Sequence, residues 1–159
     1  MILDGFNRSS TGRKFIVVGN TNNPFGRSLV KKFKADDRVV FTDSIFDTGQ
    51  LHSLKKNCNL YFHGHSVGGT NPSLLEAMAS GALVCAHENP FNRAVLSDNG
   101  YYFSSATDVK SLIDQTSKNG KEYKMIANNL VKIKSTFNWT RVIDQYERFI
   151  VKCYHAFQK

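Results

Sequence analysis

Short apolar runs alternate with helical stretches along most of this 159-residue chain, and this alternation restricts the fold more than any other feature. The runs lie at residues 14–19, 38–42, 59–62 and 82–86, and a polar turn and a helical pattern follow each of them. They are apolar throughout rather than at every second position, which is typical of parallel strands buried on both faces. The pattern predicts a Rossmann-like α/β fold, an open parallel sheet flanked by helices.

The length favours one domain, and we predict that residues 1–159 form it. Parallel sheets of this kind bind ligands beyond the carboxyl ends of their strands. The loops after Gly19, Phe41, Phe62 and Ala86 are therefore predicted to share one cleft. The last third is predicted to be helical, at about residues 107–117, 120–137 and 139–157, and the apolar stripe of the last helix favours contact with the core.

The charge of the chain favours anionic partners but does not indicate nucleic-acid binding. The formal charge of +8 favours anionic partners such as phosphates or a membrane surface. The lysines are scattered without interleaved aromatic residues, so we interpret them as solvated helix faces and predict no nucleic-acid binding.

The cysteines and the hydropathy indicate the compartment. Cys58, Cys85 and Cys153 have no CxxC spacing, which favours reduced thiols in a cytoplasmic protein. No run approaches the length of a membrane span, and no leader peptide is recognisable.

The segment at residues 61–81 carries most of the evidence for function. An apolar strand runs into a glycine-rich loop with Gly68 and Gly69, and a helix follows. Asn71 suits the N-cap, Pro72 the first turn and Gly81 the residue after the helix. Glycines let backbone N–H groups approach an anion, and the helix N-terminus adds partial positive charge, so the segment predicts a phosphate site. A tight turn without a ligand is the alternative.

Glu76 is the candidate for binding a sugar hydroxyl. Ser73, Glu76 and Ser80 form a narrow polar stripe on the helix, which begins at the loop. A carboxylate in this position accepts hydrogen bonds from ribose hydroxyls, as in other Rossmann-like sites. The alternative is an ordinary exposed glutamate on a helix.

Two histidines, His63 and His65, stand two residues apart at the end of the strand. Without a third ligand at suitable spacing they favour hydrogen bonds to their own loop over a zinc site, and we predict no metal. Contact with a phosphate or a sugar is a further alternative. No Ser-His-Asp or Cys-His arrangement is recognisable, and Cys85 in a buried strand is a poor nucleophile.

The run at residues 64–78, GHSVGGTNPSLLEAM, resembles the nucleotide-sugar signature in the C-terminal domain of retaining GT-B glycosyltransferases of family 4. It is most similar to rhamnosyltransferase-like members of bacterial surface-polysaccharide pathways. The resemblance covers nearly the whole chain. It implies that Glu76 binds the donor ribose and that the loop amides around Gly68, Gly69 and Thr70 face the donor diphosphate.

The resemblance also implies where this chain differs from its family. A first glutamate, which contacts the transferred sugar, would stand at Gly68, so either a neighbour such as His65 substitutes or the sugar is held differently. The family's first C-domain strand and its acceptor-binding N-terminal domain have no counterpart in these residues. The resemblance implies that the distal part of the last helix, around Phe149, Cys153 and Phe157, packs on that N-terminal domain, so we predict that it is exposed here or covered by another copy of the chain. The predicted donor-binding set is Gly68, Gly69, Thr70, Asn71, Ser73 and Glu76, with His65 as the candidate catalytic residue.

Two classes of function follow. The first is the donor-binding half of a glycosyltransferase, which takes a nucleoside-diphosphate sugar as substrate, needs no cofactor and is inactive without its N-terminal domain. Such an enzyme is expected in the cytoplasm, with its basic charge toward the inner membrane face. The second is a stand-alone nucleotide or nucleotide-sugar binding module without catalysis.

Overall fold

A computed structural model describes residues 1–158, which form eight helices and five strands. In chain order the elements are α1 (Ile2–Asn7), β1 (Phe15–Val18), α2 (Pro24–Phe33), β2 (Val39–Thr42), α3 (Thr48–Asn57), β3 (Tyr61–His63), α4 (Pro72–Ala79), β4 (Val84–His87), α5 (Pro90–Leu96), β5 (Tyr101–Phe103), α6 (Ala106–Gln115), α7 (Gly120–Thr136) and α8 (Trp139–Phe157). The strict alternation of strands and helices up to β5 confirms the predicted fold class.

All strand pairings are parallel, and they form two sheets. β1 pairs with β2, so that Phe15 lies opposite Val39. β4 lies between β3 and β5 in a three-stranded sheet. Neighbouring strands are joined through helices, which is the connection that parallel pairing requires.

The core lies on both faces of β4. Val84 and Ala86 pack on one side with residues of α4 and α5, while Cys85 packs on the other side with Phe6, Phe103 and residues of α6. All three β4 residues are completely buried. Burial on both faces is the reason why this strand is apolar throughout, as the sequence indicated. Burial also raises the pKa of the Cys85 thiol, so this cysteine is a buried structural residue.

Two strands lie further along the chain than the sequence predicted. β3 is Tyr61–His63 instead of residues 59–62, and β4 is Val84–His87 instead of residues 82–86. The pairing of the two strands sets these bounds, since Tyr61 lies opposite Val84 and His63 opposite Ala86. His63 therefore belongs to the sheet and is only 1% exposed.

The sheet is interrupted between β1 and β3. Neither strand pairs with the other, although the Phe15 and Phe62 rings lie 5.8 Å apart within one shared apolar layer. The usual Rossmann order is 3-2-1-4-5-6, and the order found here matches it with strand 1 absent. The result agrees with the predicted absence of the first strand and explains why two sheets replace the single predicted one.

Helices flank the sheets as predicted, but they cover the β1–β2 sheet less completely than the three-stranded sheet. Ile16 is 46% exposed, Val18 39% and Val40 37%. These side chains alternate with the partly buried Phe15 and Val17, so one face of the small sheet is open. Because β1 and β2 form a separate two-stranded sheet, no further strand of residues 1–158 lies beside β1 to bury these side chains.

The last helix, α8, does not face the core. None of its residues is buried, and its apolar stripe includes Trp139 (81% exposed), Phe149 (65%) and Phe157 (91%). The simple interpretation of a core-facing helix is therefore wrong, whereas the predicted exposure of its distal part is confirmed at Phe149 and Phe157. Among residues 1–158 no helix has the length and hydrophobicity to cross a lipid bilayer.

The close packing of α1 on α6 depends on Gly5. A Cβ atom at Gly5 would lie 2.6 Å from the Ala106 carbonyl oxygen and 2.6 Å from the Val109 Cβ. Gly5→Ala is therefore expected to lower the free energy of unfolding by about 1–3 kcal/mol through overpacking. Gly12→Ala is the matched control, since a Cβ there meets no atom within 4 Å. Urea denaturation measures both, and equal stability of the two variants would show that α1 shifts without cost.

Candidate functional site

The candidate site is the loop of residues 64–71, which leaves the carboxyl end of β3 and enters α4. Residues 64–70 are all exposed. Gly68 has a φ of 106°, a conformation that L side chains rarely adopt, and a Cβ atom at Gly68 or Gly69 would meet no neighbour. The glycine backbone is therefore open to a ligand from solvent.

Asn71 and Ser73 fix the junction between the loop and the helix. The Asn71 side chain accepts hydrogen bonds from the Ser73 backbone N–H at 3.0 Å and from the Ser73 hydroxyl at 2.8 Å. Pro72 occupies the first helical position, as predicted. The Asn71 side chain thus caps the helix and the Ser73 hydroxyl holds that side chain in place, so the N-terminal N–H groups of α4 face the loop.

Glu76 lies one turn into α4 and forms an ion pair that the sequence did not reveal. The Lys55 Nζ donates to the Glu76 Oε2 at 2.6 Å. The Glu76 side chain is 61% exposed, whereas that of Lys55 is 12% exposed. The carboxylate is accordingly anchored at one oxygen and open to solvent at the other. The contact joins α3 to α4, and no spacing in the sequence brings these two residues together.

His63 and His65 stack on each other at the carboxyl end of β3. Their ring centroids lie 4.7 Å apart with an interplanar angle of 20°. His65 is exposed, while the buried His63 places Nδ1 3.5 Å from the Ser73 hydroxyl. Burial, with a smaller contribution from His65, lowers the pKa of His63 to about 4, so its imidazole is neutral at pH 7. Within residues 1–158 its Nε2 has no hydrogen-bond partner.

Two asparagines after β4 hold the glycine loop in place. The Asn92 side chain donates to the carbonyl oxygens of His65 and His87, at 3.1 and 2.8 Å. Asn89 donates to the same His65 carbonyl at 3.1 Å and caps α5. The sequence analysis missed this clamp, although an asparagine at a helix N-cap after a strand is a recognisable signal.

The loops at this edge do not form one shared cleft as predicted. A cavity of about 1170 Å³ lies between β1 and β3 and includes Gly19, Ser44 and Ile45. Residues of the glycine loop do not line it. The missing strand separates the loops after β1 and β2 from the loop after β3.

No cluster of three or more His, Cys, Asp or Glu side chains suited to a metal ion occurs within residues 1–158. The polar groups that the site offers are backbone N–H groups, the two histidines, the Lys55 ammonium as a donor and the Glu76 carboxylate as an acceptor. These groups suit a phosphorylated sugar ligand better than a cation, because most of them donate hydrogen bonds to anions.

The stability of the site is expected to depend on pH through His63. The unfolded chain protonates this histidine below pH about 6.5, whereas the folded chain keeps it neutral to pH about 4. The free energy of unfolding should therefore decrease as the pH falls through this window. His63→Gln is expected to reduce the decrease, and His52→Gln, at an exposed position of α3, should leave it unchanged. Urea denaturation between pH 4 and pH 6.5 measures how steeply the free energy of unfolding changes with pH. Identical slopes for the parent chain and both variants would show that His63 is not the responsible group.

A family model described as "Glycosyl transferases group 1" matches residues 5–132. Comparison with curated proteins gave no match.

Solved structures share the fold. The chain matches Anabaena Alr3699/HepE, crystallised with UDP-glucose, at a TM-score of 0.77 and 17% identity, over 95% of this chain and 44% of that one. The chain also matches the pneumococcal O-GlcNAc transferase GtfA, in complex with UDP and GlcNAc. The TM-score is 0.61 and the identity 17%, over 89% of this chain and 30% of GtfA. A third match is the C-terminal domain of the Francisella tularensis protein LpcC, a glycosyl transferase group 1 family protein. The TM-score is 0.55 and the identity 21%, over 72% of this chain and 62% of that domain. The chain thus spans less than two thirds of each.

At these identities the structural likeness shows the fold alone, which is that of the Rossmann-like C-terminal half of GT-B glycosyltransferases. The family match covers most of the chain and includes the glycine loop, Lys55 and Glu76. The chain therefore belongs to the group 1 glycosyl transferase family.

Proposed function

We propose that this chain is the donor-binding half of a retaining glycosyltransferase that uses a nucleoside-diphosphate sugar. The observation that carries the proposal is the exposed glycine loop, which leads into a capped helix with an anchored but accessible carboxylate. Among the structural neighbours, HepE was crystallised with UDP-glucose and GtfA with UDP and GlcNAc. These complexes support a nucleotide sugar as the substrate class.

The donor diphosphate would bind at the loop amides of Gly68, Gly69 and Thr70. These residues are exposed, and the N-terminus of α4 directs its partial positive charge to the same place. Asn71 and Ser73 contribute by fixing the helix start, where Ser73 is also close to His63. Amide donors that stabilise the leaving diphosphate act electrostatically, so the proposal assigns no metal and no cofactor.

Glu76 would accept hydrogen bonds from the donor ribose. Lys55 leaves one carboxylate oxygen free and restricts the side chain, so less conformational entropy is lost when ribose binds. Lys55 thus joins the donor-binding set as a positioning residue.

His65 is the candidate to contact the transferred sugar. Gly68 stands where the family resemblance places a carboxylate, and its open backbone leaves space at that point. The exposed His65 ring, supported by the buried His63, lies at the start of the same loop. We propose that this imidazole replaces the absent carboxylate as the polar partner of the sugar.

The acceptor side of the reaction would belong to an N-terminal domain outside residues 1–159. The exposed apolar stripe of α8 is suited to pack against such a domain. By resemblance, the whole protein would be a family 4, rhamnosyltransferase-like enzyme of bacterial surface-polysaccharide synthesis. The net charge of +8 on residues 1–159 would favour the cytoplasmic face of the inner membrane.

A stand-alone binding module without catalysis is the second candidate. The absence of a carboxylate at Gly68 favours it, because the family resemblance assigns contact with the transferred sugar to that group. Both candidates require nucleotide binding, and only the first requires sugar transfer by a longer protein.

Replacement of Glu76 tests the ribose assignment. Glu76→Ala is expected to weaken nucleoside-diphosphate binding by about 1.5–3 kcal/mol, the contribution of a charge-assisted hydrogen bond. Isothermal titration with UDP, TDP and GDP measures the affinity and also identifies the base. Glu147→Ala, at an exposed glutamate of α8, is the matched control. Unchanged affinity of Glu76→Ala would show that ribose binds elsewhere.

Residues 1–159 by themselves are expected to transfer no sugar. A donor domain without an opposing acceptor domain neither excludes water nor positions an acceptor. Positioning lowers the activation free energy by several kcal/mol. The measurement is release of UDP or GDP from the corresponding nucleotide sugars, with and without candidate acceptors. Sustained transfer by the purified chain would contradict the half-enzyme proposal.

A further inference from the structure

Two side-chain amides bridge β3 and β4 beyond the end of their hydrogen-bonded ladder. The ladder ends at His63 of β3. Past this residue, the Asn92 side chain donates to the carbonyl oxygens of His65 and His87, at 3.1 and 2.8 Å. The Asn89 side chain donates to the same two oxygens, at 3.1 and 3.3 Å. The amides thus take the place of backbone donors at this edge of the sheet.

Asn92 is the more firmly held of the two asparagines. Only 4% of this residue is exposed, and the two N–H bonds of its amide serve the two carbonyl oxygens. Its backbone N–H donates to the Asn89 side chain, which caps α5. Because a buried amide without hydrogen bonds is costly, the side chain stays on the two oxygens. Asn92 therefore connects the start of the glycine loop to β4, the most buried strand.

His65 is held at its ring as well as at its carbonyl oxygen. The ring stacks on that of His63, with the centroids 4.7 Å apart, and His63 is itself buried. A side chain that is fixed at two points loses little conformational entropy when it binds a ligand. The imidazole of His65 is therefore oriented before a sugar arrives.

The glycine part of the loop is anchored separately. Within residues 1–158, the next hydrogen bonds of the loop beyond His65 are those of Asn71, whose side chain accepts from Ser73. Glu76, further along α4, is held by Lys55. The contacts of Asn92 thus act at the His65 end of the site, apart from the groups assigned to the diphosphate and the ribose.

We propose that Asn92 is the positioning residue of the sugar subsite. By holding the His65 carbonyl oxygen to the end of β4, it fixes the His65 imidazole where the transferred sugar would bind. It thereby determines how much affinity the sugar adds to that of the nucleotide. This role rests on the proposed function, in which His65 contacts the sugar.

The first experiment needs no ligand. Because the His65 ring stacks on His63, its proton signals in the NMR spectrum are expected to differ from those of the exposed His52. In Asn92→Ala the His65 signals should move toward those of His52. The matched control is Asn128→Ala, at an exposed asparagine of α7, which should leave them in place. Unchanged His65 signals in folded Asn92→Ala would overturn the proposal.

Titration calorimetry measures the consequence for the donor. The probes are UDP, TDP and GDP, compared with UDP-glucose, TDP-glucose and GDP-mannose. In the parent chain the sugar is expected to raise the affinity by about fivefold or more, the effect of one hydrogen bond. Asn92→Ala should lose most of this gain and bind the free nucleotide as tightly as the parent. Equal gains in both chains would overturn the proposal.

A double variant tests whether Asn92 acts through His65. His65→Ala keeps the carbonyl oxygen but removes the imidazole, so it should lose the same gain in affinity. Asn92→Ala added to it should cause no further loss, because the group that Asn92 positions is absent. A further loss of equal size would show that Asn92 acts by another route, and the assignment would be wrong.

A second variant and the parent chain complete the test. Asn89→Asp keeps the acceptor that caps α5 but removes the donor to His65, so it decides the question if Asn92→Ala does not fold. It should shift the His65 signals in the same direction and reduce the gain from the sugar, and parent-like values of both would overturn the proposal. A parent that binds none of the three nucleotides would overturn the proposed function and the role of Asn92 with it. A parent that binds a nucleotide but gains nothing from any of the sugars would overturn the role of Asn92 alone.

Discussion

The burial of β4 on both faces is the constraint on which the rest of the structure depends. Val84 and Ala86 contact one helical layer and Cys85 the other, and none of the three is exposed. Because a parallel strand of this kind requires a partner on each edge, β3 and β5 are fixed beside it. The carboxyl end of β3 is thereby placed where the glycine loop begins, and α4 is placed against the sheet.

The candidate site combines this rigid base with an open loop. Asn92 ties the His65 carbonyl to the end of β4, and Asn71 caps α4. Between these two points, Gly68 and Gly69 remain exposed. A fixed frame with accessible backbone donors is suited to phosphate binding, since the donors are oriented before the ligand arrives. The partly buried Lys55 likewise orients the Glu76 carboxylate before a ligand binds.

Two apolar surfaces remain without a partner in these residues. The cavity between β1 and β3 is lined by both strands, and α8 exposes an apolar stripe that includes Trp139 and Phe157. Contiguous apolar surface of this kind favours association. Both surfaces are consistent with a chain that spans less than two thirds of the matched GT-B proteins. The donor-site proposal depends on neither surface.

The sequence by itself determined the fold class and the loop-to-helix junction, because apolar runs, glycines and cap residues act locally. It placed Asn71, Pro72 and Gly81 correctly at the ends of α4, within one residue. The interruption of the sheet, the ion pair of Lys55 with Glu76 and the burial of His63 were decided only by the tertiary structure. The exposure of the distal part of α8 was predicted, but its extension over the whole helix from Trp139 was decided there, since an amphipathic stripe shows that a helix needs a partner without showing whether its own domain supplies one.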